Sequence, residues 1–282
     1  MSNIAIEEDG LPKILPPKND FVFKALFGDK RNEKNLIEFL EAVLRKKIIA
    51  VQLMNPINNQ RSEDDKMSVL DVRAKLDSGE EIDIEMQAKN IPGLRERITY
   101  YQDRMLVDQI GVGGKYSALK PVISIIVVAE TLIYESQKCH NVFSMLETDE
   151  HFAFNDLKET HILDLTRINN EPYETLSDWL EFINSEDEED FMKIAQKNKA
   201  INAAFGTLQE ISRSKEQRIR YDSRLKLQRD IWAFEDAAEQ KGILKGEKIG
   251  IQKGRKKGIL EVFALIDQGY TPAQAKKMLE LA

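Results

Sequence analysis

A chain of 282 residues, 42% hydrophobic and 32% charged, can bury one sizeable core and still carry a charged, helical appendage. Its single cysteine, Cys139, excludes a disulfide framework and a thiolate metal cluster. The net charge of −7 disfavours bulk affinity for nucleic acid, but binding follows charge distribution, and residues 241–257 hold seven basic residues against one acid, Glu247.

The N-terminal MSNIAIEEDG has neither a basic start nor an apolar run, so no signal peptide is expected. Residues 1–15 read as a flexible arm ending at Pro16-Pro17. Asp20 is the expected N-cap of a short helix, FVFKALFG, that stops at Gly28. A second helix spans 35–47 and gathers Leu36, Ile37, Leu40, Val43 and Leu44 on one face. Residues 48–53 suit a strand.

The stretch LDVRAKLDSGEEIDIEMQAKN, residues 70–90, alternates on both sides of a turn. Leu70, Val72, Ala74 and Leu76, then Ile82, Ile84, Met86 and Ala88, form one apolar face of a β-hairpin. Asp71, Arg73 and Lys75 share the other face with Glu81, Asp83, Glu85, Gln87 and Lys89. A three-residue loop, Asp77-Ser78-Gly79, pairs Leu76 with Glu80 and keeps both apolar sets together, with Gly79 supplying the positive φ. This register sets Asp71 across from Glu85. Facing carboxylates repel, and a cation between them reverses that sign. The alternative is an ordinary solvated face.

Pro92 opens a further helix, expected to run to Ile110 and to project Arg95, Arg97, Tyr100, Tyr101 and Arg104. Residues 121–129, PVISIIVVA, have the composition of a strand buried on both faces, too short to cross a membrane. Shorter strands are expected at 152–154 and 161–168. Cys139 and His140 are adjacent and lack metal-ligand spacing, and His151 and His161 fall in no recognisable arrangement. From Glu171 onward the pattern is helical, including a long run over 204–241. Asp and Glu residues at 186–190 form an acidic block, a solvated loop or helix start. The whole is an α/β core with a mixed sheet and an all-helical C-terminal extension, expected to be cytoplasmic.

Glycines at 242, 246, 250, 254 and 258 recur every fourth residue. On a helix such a row drifts in the right-handed sense and lets another backbone approach closely. The alternative is a basic, partly frayed linker. Thr271-Pro272-Ala273-Gln274 is a capping box that opens a last helix, and this helical tail is the expected site of homo-oligomerisation.

The blocks KNDFVFKALFG, LDVRAKLDSGEEIDIEMQ, RITYYQDRML and SALKPVISI, in that order, resemble the Rpn family of recombination-promoting nucleases, also described as transposases. The resemblance covers roughly residues 15–240 and implies a restriction-endonuclease-like PD-(D/E)XK core over 16–168. A helical extension over 169–240 and a glycine-repeat basic helix with a terminal module over 241–282 would follow. It implies a Mg²⁺-dependent (or other divalent cation-dependent) DNA endonuclease tied to recombination or mobile DNA. Asp71 and Glu85 match the superfamily's metal-binding acids, and Gln87 stands where that pattern has lysine. Gln87 can orient a water but carries no charge. Met86 would turn its side chain into the core and offer its carbonyl. Lys89, Arg95, Arg97 and Tyr101 are candidates for DNA contact; Tyr101 also suits the core beside Leu94, Ile98 and Met105. The rival reading, favoured by Gln87 and the acidic charge, is a catalytically weak or inactive DNA-binding or assembly protein on the same fold.

Overall fold

The computed structural model describes residues 6–54 and 72–280. Helix α1 (Asp20–Phe27) is capped by Asn19, whose side chain accepts from the Phe21 N–H; Asp20 is the first helical residue rather than the cap. Gly28 ends it, where a Cβ would come within 2.8 Å of the Lys24 carbonyl and 3.3 Å of the Val72 side chain. Helix α2 (Glu33–Leu44) stops three residues before the expected boundary, because Arg45 adopts a left-handed conformation with φ of 54°.

Six strands form one mixed sheet: β1 (Val51–Leu53), β2 (Val72–Leu76), β3 (Glu81–Gln87), β4 (Val122–Val128), β5 (His140–Ser144) and β6 (Lys158–Asp164). Their spatial order is β1-β2-β3-β4-β6-β5. The β3–β4 and β4–β6 pairs are parallel and the other three antiparallel. Strand β4 is buried along its whole length, in keeping with a composition that is β-branched except for Ser124. Residues 152–154 make only a bridge, Leu146 to Ala153, and β5 arises where no strand was expected.

The hairpin closes through the three-residue loop. The Leu76 N–H donates to Glu80 O at 2.9 Å, Gly79 has φ of 103°, and Arg73 sits opposite Asp83. Its polar face is not solvated, however. Arg73, Glu81, Asp83 and Glu85 are each less than 9% exposed. Helix α3 (Leu94–Asp108) covers them, packing Leu94 and Ile98 against Ile126, Val128 and Ile162. Gly93, with φ of 79°, caps α3, so the helix begins beyond Pro92.

The opposite face holds an aromatic core. Phe23, Phe27 and Phe39 from α1 and α2 meet Trp179 and Phe182 of α4 (Glu174–Asn184), with Trp179 5.8 Å from both Phe27 and Phe39. Phe191 of α5 (Glu188–Lys197) stacks on Phe205 of α6 (Lys199–Arg213). Each such side chain contributes about 1.5–3 kcal/mol by leaving water. These helices therefore pack with the core, and the chain divides into two compact units, Met1–Asp222 and Ser223–Ala282. The end of the expected arm is also part of the core: Leu11, Ile14 and Leu15 are buried, and the Leu15 N–H donates to Ser212 Oγ.

Helix α7 (Lys215–Asp267) runs unbroken through all five repeat glycines. Helix α8 (Pro272–Glu280) opens on the expected box, with the Thr271 N–H donating to Gln274 Oε1 and the Gln274 N–H donating to Thr271 Oγ1.

Candidate active site

The end of β3 places Glu85 and Gln87 on the α3 side of the sheet, two residues apart and therefore facing the same way. Met86 between them buries its side chain on the other face. Gln87 Nε2 donates to Glu85 Oε2 at 2.7 Å, and Arg97 of α3 donates to the same oxygen at 3.0 Å. Among the described residues both bonds fall on Oε2, which leaves Oε1 for a ligand. Burial pushes the Glu85 carboxyl above its ordinary value, against the opposing pull of Arg97 and the Gln87 hydrogen bond. The carboxylate is nearly enclosed while the Arg97 side chain is 37% exposed, so the pair presents its cation to solvent.

Asp71, the expected partner of Glu85, lies outside the described residues. The rungs from Val72–Ile84 to Lys75–Glu81 follow the register that the hairpin pattern dictates. The four candidates for DNA contact are dispersed. Arg97 lies on Glu85 and 6.0 Å from the Tyr101 ring. Tyr101 is half-buried against Met105 and Val122. Arg95 makes a two-pronged pair with Glu135 and also donates to the Leu132 carbonyl. Lys89 is half-buried just past the end of β3.

Several residues that shape the site escaped the sequence reading. Gln102 (4% exposed) donates to the carbonyls of Val122 and Glu159, pinning α3 across β4 and β6. The available signal was a glutamine inside the apolar stripe Ile98–Met105. Asn90 anchors the β3–α3 connection, its N–H on Glu130 Oε2 and its Nδ2 on the Thr131 carbonyl. Buried Arg73 and Glu81 form an ion pair at 2.6 Å. The histidines do meet, His140 Nε2 against His161 Nδ1 at 2.7 Å and His161 Nε2 against Glu159 Oε1 at 2.6 Å. Their register sets them on the sheet face opposite Glu85.

A hard divalent cation fits what is present at Glu85. The donor is a carboxylate oxygen, and a cation beside it would return the buried group to its ionised form. Among the described residues no set of three or more His, Cys, Asp or Glu could hold a metal ion. No helix among the described residues is long and apolar enough to cross a membrane.

A mixed sheet carrying a carboxylate hairpin beneath an arginine-bearing helix is the plan of a PD-(D/E)XK nuclease fold. The family of PD-(D/E)XK nuclease family transposases matches residues 17–238, and the chain belongs to it. Neither the curated proteins nor the solved structures yield a match.

Gln87→Ala is expected to lower phosphodiesterase turnover about tenfold while leaving divalent-ion affinity within roughly threefold, since it removes a hydrogen-bond donor but no ligand. Calorimetric titration with Mg²⁺ beside a cleavage assay checks this. Equal turnover in both proteins would leave Gln87 without the role.

Proposed function

We propose that the chain is a divalent cation-dependent DNA endonuclease acting in recombination or on mobile DNA. The observation that carries the reading is the buried Glu85 carboxylate, held by Gln87 and Arg97, within a chain of this nuclease family. Asp71 and Glu85 would hold Mg²⁺. When bound, the ion lowers the pKa of a water and stabilises charge on the attacked phosphate. Gln87 orients that water. The water oxygen bonds to phosphorus, the bond from phosphorus to the leaving sugar oxygen breaks, and a proton passes to that oxygen. Arg97, together with Lys89, Arg95 and Tyr101, contacts the DNA backbone. Arg97 has a second role: it balances the Glu85 charge, and its half-exposed guanidinium would also be able to pair with a phosphate oxygen.

One observation favours the rival, a DNA-binding or assembly protein with weak or no chemistry. Arg97 already neutralises the carboxylate, as a retained structural pair would. Supercoiled plasmid incubated with purified protein, with and without Mg²⁺, separates the two. Nicked or linear product only with the ion supports the nuclease. DNA retention in a gel shift with no product under any divalent ion supports the rival.

The C-terminal helices are the proposed site of homo-oligomerisation. A Cβ built on any of the five repeat glycines meets nothing within 4 Å in the single chain. Alanine at 246, 250 and 254 therefore creates no clash within the protomer and adds about 3 kcal/mol of helix propensity. The triple variant is nonetheless expected to associate at least fivefold more weakly, because added methyl groups hold two backbones apart. Sedimentation over a concentration series decides it, and unchanged association returns the repeat to a basic linker.

A further inference from the structure

Strand β5 is the last strand of the sheet among the described residues, and its chain continues extended beyond Ser144. The Phe154 N–H donates to Met145 O at 3.0 Å and the Glu147 N–H to Phe152 O at 2.8 Å, so residues 140–147 form one long edge. Natural edges are guarded by lysine, proline, bulges or covering loops. This one, HNVFSMLE, has no lysine and no proline. Instead Val142, Phe143, Met145 and Leu146, with Phe152 and Phe154 behind them, are each between 41 and 74% exposed. Apolar side chains stand on both faces of the edge, which a solvated strand does not require.

The main chain of this edge, among the described residues, likewise turns polar groups outward. Asp164 donates to the Cys139 carbonyl at 2.9 Å, and β5 pairs antiparallel with β6 from His140–Leu163 to Ser144–Glu159. In an antiparallel ladder, alternate residues turn both polar groups toward the partner. Asn141 and Phe143 therefore face β6, while His140, Val142 and Ser144 turn N–H and C=O outward. Beyond them Met145 and Glu147 face residues 152–154, which leaves Leu146 outward as well.

We propose that this edge pairs with the same edge of a second copy of the chain, antiparallel across a two-fold axis, to make one continuous sheet. The outward residues fix the register. His140 pairs with Leu146 of the other copy and Val142 with Ser144, each pair exchanging two hydrogen bonds. Phe143 then meets its own equivalent at the axis, a favourable aromatic cross-strand pair. Charge agrees with this choice. Exposed Lys138 comes opposite Thr148 of the other copy, between the carboxylates of Glu147 and Asp149, and the axis repeats the contact. A two-residue slip in either direction loses the Phe143 pair and one of the outward pairs.

The test uses the full chain. Ser144→Pro removes an N–H that points away from β6, a position where an edge strand tolerates proline. It should raise the dissociation constant at least tenfold in sedimentation with an unchanged far-UV circular dichroism spectrum. Phe143→Cys should form a disulfide-linked dimer under mild oxidation, because residues facing at such an axis lie about 4.5 Å apart between Cα atoms, within disulfide reach. The wild type serves as control: Cys139 is buried and its thiol is pushed up to about 12, chiefly by that burial. Adding Ser144→Pro to Phe143→Cys should abolish the covalent dimer. A wild type that sediments as a monomer throughout overturns the proposal. So does association unaffected by Ser144→Pro, or a Phe143→Cys sample that sediments as an oligomer yet yields no covalent dimer.

Discussion

Glu85→Gln is expected to abolish Mg²⁺-dependent plasmid nicking, by roughly a thousandfold or more, equivalent to about 4 kcal/mol of barrier. The amide keeps the size of the side chain and can still accept from Gln87, but it is a poor ligand for a hard cation. Asp71→Ala should match it if both acids hold one ion. The same substitution is expected to stabilise the metal-free fold. Burial raises the folded-state pKa of Glu85 above the ordinary 4.5. The stability that this group contributes is thus complete below the ordinary pKa and is lost as pH rises through the raised one. At neutral pH the wild type bears the cost of a buried charge, and the amide does not. The melting midpoint of Glu85→Gln should therefore exceed that of the wild type at pH 7 and fall into line with it at pH 4. Added Mg²⁺ should raise the wild-type midpoint and leave the variant unmoved. Nicking by Glu85→Gln at the wild-type rate would exclude the proposed centre.

The hairpin was legible because strict alternation flanks a turn in which only Gly79 suits the positive φ, and a one-residue slip would expose the whole apolar face. Whether its polar face is solvated was left open for a related reason. Alternating polar residues look the same whether water or a helix lies over them. What covers them is α3, whose Leu94 and Ile98 bury against strands reached only through the fold. The link from Arg97 to Glu85 spans twelve residues of turn and helix, and no local spacing announces it. Strand β5 went unread because His140, Asn141 and Ser144 interrupt any alternation, and its pairing to β6 is tertiary. The capping error at α1 is smaller in kind: Asn19 and Asp20 are both good caps, and the backbone of Asn19 is the extended one. Residues 1–15 read as a flexible arm ending at Pro16-Pro17. Leu11, Ile14 and Leu15 instead supply a short apolar run to the core.

The buried ion pair of Arg73 and Glu81 sets up the second large effect. Their side chains are 8% and 9% exposed and meet at 2.6 Å, on the face of the hairpin that carries Glu85. Arg73→Ala strands the Glu81 carboxylate in a site shaped for its partner, and Glu81→Ala strands the guanidinium. Each single substitution is expected to cost about 3–5 kcal/mol, read from urea unfolding midpoints at constant slope. The pair itself is worth far less than that. Two charges lose their hydration on burial, and Arg73 Nε finds no acceptor among the described residues. Arg73→Met combined with Glu81→Leu should recover most of the loss, ending within about 1 kcal/mol of the wild type. Single variants that unfold at the wild-type midpoint would mean that the two side chains are solvated. A double variant no better than the singles would mean that the pair is needed for more than mutual neutralisation. The expected non-additivity follows from the sequence pattern corrected by the fold. An alternating polar face placed under a helix must either pair its charges or lose them, and Arg73 with Glu81 and Arg97 with Glu85 are two such pairs.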